Sequence, residues 1–535
     1  MIHETCFATV ALVASSIAAP GSIAGQAAIG RPEEPIEMEG SRVPNLIGTG
    51  VDEFALYAWD GSQFQPVNFQ VDERGSGGAY FSEDAITGFI DDNDQIVFML
   101  EDVGDSVGTD EWLDHPNVDP ENRYEIELTD PLNPDQKGWV YLFLGEDLPL
   151  SGEDYVDVLV DDPFHVASDR YGEEYLPGIP GAMDDLYLLP GMDGTGVDLY
   201  DRMKFRVKLG PLVDWQTEED GIAENRNYKD GTVRVVHAYN VTMPVIGFAI
   251  SNTQVIYHRQ MSITRNKIFQ LWAPDAKRML WLTDLHPGMS DFVYYDNRGG
   301  DPESAATFAD TIDGDGLRAT GDLSTFQELV SPTQGASLSV QDNRVIPADE
   351  ALSYYCDACE DVEAWPETGD GTKWGENGTW LKRIEFTTEP FELESWNWRL
   401  PPYSDGSHGQ EFARRYFNRV TIAADWQYPD GIEDAGDRAP GTARVRIDQN
   451  APNPFNPRTK IDFYISGGAG RVRLDVYDLA GRRVRVLVDA SLSPGDHAVV
   501  WDGDDDAGRA QPSGVYTCRI AAGEDHESRR MLLLK

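Results

Sequence analysis

Strand-like alternation runs through almost the whole chain. RYEIEL (Arg123–Leu128), MKFRVKL (Met203–Leu209), TQVIYHRQMSI (Thr253–Ile263) and WLKRIEF (Trp380–Phe386) set apolar side chains against polar ones at a period of two. That spacing sends neighbours to opposite faces of a strand, so one face is buried and the other is wet. Asp60-Gly61, Asp230-Gly231, Gly299-Gly300 and Asp370-Gly371 mark turns between such runs, which favours antiparallel pairing. No stretch longer than a turn or two carries a convincing 3.6-residue period. The fold class is therefore all-β and multi-domain: a β-sandwich body of two units, followed by a seven-stranded immunoglobulin-like sandwich at the C-terminus. With 535 residues, the chain exceeds what one core serves, which is ~250–300.

The expected division is a signal peptide over 1–27, a first sandwich over 28–185, a second β-rich unit over 186–428, a linker over 429–443 and the last domain over 444–535. Residues Cys6–Ala19 are small and apolar, and Ser22-Ile23-Ala24 or Gly25-Gln26-Ala27 offers a small-x-small cleavage site. This is the pattern of an export leader, although His3 and Glu4 stand where Lys or Arg is usual. No segment reaches the ~20 apolar residues of a spanning helix. The seam near 185 is placed in the Pro/Gly/Asp-rich stretch Leu176–Gly196, and the linker in PDGIEDAGDRAPGTA.

Formal net charge is −50. Residues 441–535 hold 14 basic and 13 acidic side chains, so the acidity belongs to the body. A field of that sign repels phosphate backbones and anionic membrane surfaces, which excludes nucleic acid as a partner.

In the last ninety residues, QNAPNPFNPRT (Gln449–Thr459), VYDLAGRRVRVL (Val476–Leu487), GDHAVVWDGDD (Gly495–Asp505), PSGVY (Pro512–Tyr516) and RRMLLLK (Arg529–Lys535) occur in order. This segment resembles the C-terminal sorting domains of type IX secretion and is similar to the Ig-like domain of FlgD-type hook-capping proteins. The resemblance implies a cargo that passes through the periplasm to the cell surface or the medium, with the outer-membrane secretion machinery as partner. Cleavage of the domain, or its use for surface attachment, is part of the same implication.

The body offers residue types rather than motifs. H-E-x-x-H and Walker A are absent. His237, Tyr257, His258 and Arg259 occupy the most basic stretch, and alternation sets Tyr257 and Arg259 on one face, His258 on the other. A polysaccharide lyase needs such a base beside a cation. Trp374, Trp380, Trp396 and Trp398, with Tyr403, are aromatic candidates for stacking on sugar rings, Trp396 and Trp398 sharing a strand face. Trp365 and Trp426 belong to the same concentration of aromatics. Asp310, Asp313 and Asp315 are candidate calcium ligands, since hard oxygens on a tight loop suit that ion. Cys356 and Cys359 form a C-x-x-C whose expected state outside the cytoplasm is a local disulfide. The sequence therefore points to an exported glycan-binding sandwich protein. A secreted lyase or glycoside hydrolase and a structural envelope or fibre component are the alternatives.

Overall fold

The computed structural model describes residues 29–535 apart from 76–79, 82–87, 162, 178, 209–213, 244–247, 271–275, 300–301, 343–347, 360–365, 385–390, 407, 428–443, 448–449, 451, 454, 467–469, 479–481, 493–494 and 523–524. The leader expected over 1–27 and the linker expected over 429–443 lie outside the described residues, as does Trp365. Antiparallel strands dominate, as the alternation requires, and one α-helix, α1 (His408–Phe417), is present among the described residues. No helix among them is long and apolar enough to cross a membrane.

Two compact units divide the chain. Among the described residues, one joins those from Ile29 to Gly152 with those from Val420 onward; the other spans Glu153–Arg419. In the first, Thr421–Gln427 pairs with Val118–Thr129, Ala424 opposite Ile126, and completes a five-stranded sheet. That sheet and the three-stranded sheet of Pro35–Glu39, Gln95–Met99 and Phe69–Asp72 share a core that includes Leu56, Phe98, Ile126 and Leu142. The first sandwich is thus discontinuous in sequence. The seam expected at 185/186 falls inside the strand Ile179–Leu188, which forms a hairpin with Tyr171–Leu176. Its Pro and Gly residues accommodate register shifts in a sheet and do not end a domain.

The C-terminal segment has its own interior. Arg444–Ile447, Thr459–Ser466 and Gly495–Trp501 form one sheet; Arg483–Leu492, Gly470–Asp478, Gly514–Ala522 and Asp525–Leu533 form the other. These are the seven strands expected from the sequence, closed over Ile461, Leu474, Trp501 and Met531. The quoted motifs fasten the module. Asn450 donates to Thr459 Oγ1 at 2.8 Å, Asn453 Oδ1 accepts the Leu532 N–H at 2.7 Å, and Phe455 exchanges backbone bonds with Leu532 and Leu534. The lead-in therefore lies beside the last strand, forming a parallel bridge between Phe455 and Leu533.

The 153–419 unit contains sheets of four, six and nine strands. In the six-stranded sheet, Lys204 and Arg206 project away from the nine-stranded sheet into a buried ionic network. Lys204 Nζ lies 2.5 Å from Asp284, 2.9 Å from Glu367 and 3.8 Å from Glu376. Arg206 pairs with Glu367 and Glu376, each at 3.2 Å, and donates to Pro366 O. Lys373, 3.6 Å from Glu367, is the third cation against three carboxylates; that balance makes burial of these groups tolerable, and the network binds the segment 366–376 to the sheet.

Candidate functional site

Three central strands of the nine-stranded sheet, Met261–Gln270, Gly335–Gln341 and Phe391–Leu400, carry two unlike faces. Ile263, Leu338, Val340, Trp396 and Trp398 are on one. Ser262, Thr264, Asn266, Ser337, Ser339, Gln341, Ser395, Asn397 and Arg399 are on the other. Register aligns the polar face in rows: Asn397 stands between Ser262 and Ser339, and Ser395 between Thr264 and Gln341. The apolar face lies under α1, with Trp398 against Phe412 at 4.9 Å and Trp396 against Tyr416 at 5.6 Å between ring centroids. The polar face therefore turns toward the six-stranded sheet, inside the unit.

Between those sheets lies a cavity of about 170 Å³. Met203, Met279, Trp281, Thr283, Asn377 and Thr379 line it from the six-stranded side, and Glu173 and Tyr175 from the four-stranded sheet. Its volume holds on the order of ten waters and is small beside the ~300–1,000 Å³ of drug-sized pockets. Polar bonds cross it: Gln327 Nε2 donates to Gly378 O at 2.9 Å and Gln341 Nε2 to Thr379 Oγ1 at 3.1 Å. Its acid, Glu173, accepts from Arg399 at 2.7 Å and from Tyr175 OH at 2.9 Å. Arg399 and Tyr200 both donate to Ser337 Oγ. The lining thus presents hydroxyls, amides and one neutralised ion pair. That donor and acceptor set matches an uncharged polyhydroxylated ligand. The single carboxylate is already engaged, whereas two-carboxylate glycoside hydrolysis calls for a pair.

The sequence candidates are placed elsewhere. His237 is buried, stacked on Phe164 at 3.9 Å, and burial lowers its pKa to about 3. Tyr257 is buried in the same core, its phenol pushed well above the ordinary range. Its strand ends there, so His258 and Arg259 lie in the hairpin turn, where the His258 N–H donates to Met261 O. Arg259 is held by Asp169 at 2.9 and 2.8 Å and stacks over Tyr155. The alternation expected across 257–259 therefore breaks off; His237 and Tyr257 both meet the Phe164 ring, and none of the four lines the cavity.

The aromatic strip is likewise covered. Trp396 and Trp398 are 3% and 0% exposed, so neither offers a face to a polymer. Trp380 is buried, with Lys382 over its ring at 4.1 Å. Trp374 is half-buried and donates to Met289 O; Tyr403 donates to Glu328 at 2.6 Å. Trp426 packs on Tyr124 at 4.6 Å. Gly104–Gly108 spells G-x-S-x-G, yet Ser106 lies exposed in a loop with no helix after it, unlike a nucleophile elbow.

The acidic loops differ from one another. Asp505 is used by its own turn, accepting the N–H groups of Ala507 and Arg509, and Asp94 accepts the Asp91 N–H of its turn and the Arg74 N–H of a neighbouring segment. Asp185, Asp198, Asp201 and Asp370 surround His286, whose hydrogen bond to Asp198 at 2.8 Å raises its pKa to about 9. That group carries its own cation. Asp310 lies in the strand Phe308–Thr311, not on the loop with Asp313 and Asp315 that follows it; Asp310 and Asp315 approach Asp357, which is within the four-residue ring closed by the Cys356–Cys359 bond.

Comparison with known proteins identifies the tail alone: the FlgD Ig-like domain matches residues 450–526. No curated protein matches the chain. Among solved structures, an α-mannosidase from Enterococcus faecalis V583 aligns over 88% of this chain and 54% of its own, at 10% identity and a TM-score of 0.38. The chain thus spans about half the length of that enzyme. Dimeric latent PorU from Porphyromonas gingivalis aligns over 84% of this chain and 36% of its own, at 13% identity and a TM-score of 0.17. PorZ, a surface component of the type-IX secretion system of the same organism, aligns over 74% and 62%, at 11% identity and a TM-score of 0.13. None of these scores establishes a shared fold for the body. The module over residues 450–526 is similar to the Ig-like domain of FlgD.

Proposed function

We propose that this chain is an exported surface or extracellular protein whose body binds a neutral saccharide in the cavity between its six- and nine-stranded sheets. The observation that carries the reading is the inverted sheet: its Ser, Thr, Asn and Gln rows face inward while its tryptophans lie under α1. An interior built only for stability would place apolar side chains there, because buried polar groups need partners. Ser262, Thr264 and Ser339 present hydroxyls to the space, and a polyol offers each of them a partner. The FlgD-like module supports delivery through a C-terminal sorting signal recognised at the outer membrane.

The test is calorimetry and a saccharide array with the full chain, followed by Ser339→Leu, which fills the cavity from a central strand and leaves the backbone pairing in place. A neutral mono- or disaccharide should bind, and the substitution should weaken binding at least tenfold. Silence across all neutral saccharides would point instead to a structural role.

A further inference from the structure

The turn at Asp313–Gly316 and the ring closed by Cys356 and Cys359 are built onto each other. Backbone N–H groups of Asp313 and Gly314 donate to Asp357 Oδ2 at 2.9 and 2.7 Å, and the Asp357 N–H donates to Leu317 O at 2.9 Å. The Trp374 ring packs over Gly314, whose φ of +77° and close approach both exclude a side chain. Tyr355 OH fixes Asp310 from the other side at 2.8 Å. Together these contacts bring oxygens of Asp310, Asp315 and Asp357 within 4.8 Å of one another.

Asp357 is fully buried, and its Oδ1 has no hydrogen-bond partner. Among the described residues, no basic side chain pairs with any of the three carboxylates, in contrast to the group around His286. A buried carboxylate oxygen left without a partner is costly, and two further carboxylates beside it increase that cost.

We propose that Asp310, Asp315 and Asp357 bind one Ca²⁺, Asp357 supplying the buried ligand. Two oxygens that each sit ~2.4 Å from one ion are at most ~4.8 Å apart, which agrees with the cluster. The donors are all hard oxygens with no imidazole or free thiolate, a set that suits Ca²⁺ rather than Zn²⁺. Main-chain carbonyls and water complete a coordination of about six to eight. Asp313, the residue that the sequence suggested beside Asp310 and Asp315, instead accepts the Asp315 N–H at 3.1 Å and shapes the turn.

The experiment is calorimetry with the full chain after chelator treatment, titrated with CaCl₂ and separately with MgCl₂. One Ca²⁺ per chain is expected, with a dissociation constant no weaker than about 1 mM, in line with extracellular sites. Asp357→Asn should weaken binding at least tenfold. Asp315→Asn, at an exposed position that leaves folding unaffected, should do the same. Absence of Ca²⁺ binding in the native chain, or binding unchanged in both variants, overturns the site. Mg²⁺ binding as tight as Ca²⁺ overturns the assignment of the ion.

Discussion

Lys204 sits between three carboxylates, and its ammonium compensates Asp284 and Glu376 where water does not reach. Lys204→Met would leave Asp284 without its cation and Glu376 with Arg206 alone, and should destabilise the unit by about 3–5 kcal/mol in chemical denaturation. Glu328 is the second residue whose burial has a measurable consequence. Burial raises its pKa from 4.5 to about 7, even though Tyr403 OH and the Gly409 N–H donate to it; Asp405 adds to the rise, and the His408 ring lies 4.0 Å away. The folded state therefore holds a proton that the unfolded state releases. Its stabilising contribution is complete below pH 4.5 and is lost as the pH rises through about 7. Glu328→Gln should flatten that decline by about one proton, as read from denaturation midpoints between pH 4.5 and 8. Neither role was legible in the sequence, because Lys204 alternates with Met203 and Phe205 like any solvent-facing lysine, and nothing local reveals the 366–376 segment covering it.

Among elements, α1 settles which face of the nine-stranded sheet is dry. The sequence correctly assigned Trp396 and Trp398 to one face of a strand, but alternation alone does not reveal which face meets solvent. Ser395, Asn397 and Arg399 have the polarity of a wet face, yet they line an internal cavity. The helix went unrecognised because it spans only ten residues and buries only Phe412, Ala413 and Tyr416 as its larger contacts. Its first turn is fixed from outside by Glu328, which accepts the Gly409 N–H, and the Glu411–Arg415 pair lies along its own surface. Trp398→Ala should therefore cost about 3–5 kcal/mol of stability while leaving saccharide affinity unchanged when measured on the folded fraction. A variant that folds normally but loses binding would restore the aromatic strip as the ligand surface.

For the molecule as a whole, the all-β class and the seven tail strands were legible because each rests on local alternation and turn residues. The division at Gly152 and Val420 was not, since pairing of Thr421–Gln427 with Val118–Thr129 spans nearly three hundred residues of sequence and leaves no compositional mark. The tail closes its own core, so deletion of residues 441–535 should leave the remaining chain folded. In a bacterium with type IX secretion, that truncated protein should accumulate in the periplasm, as scored by fractionation and immunoblot; unaltered export would refute the sorting role. Because Phe455 and Leu533 are neighbours and the Lys535 N–H reaches Ser513, an affinity tag fused after Lys535 would crowd the contacts that Asn453 and Phe455 make with the last strand. A reporter meant to follow the protein through a secretion pore is better inserted at the tight bend around Gly508, where it would leave both chain ends untouched.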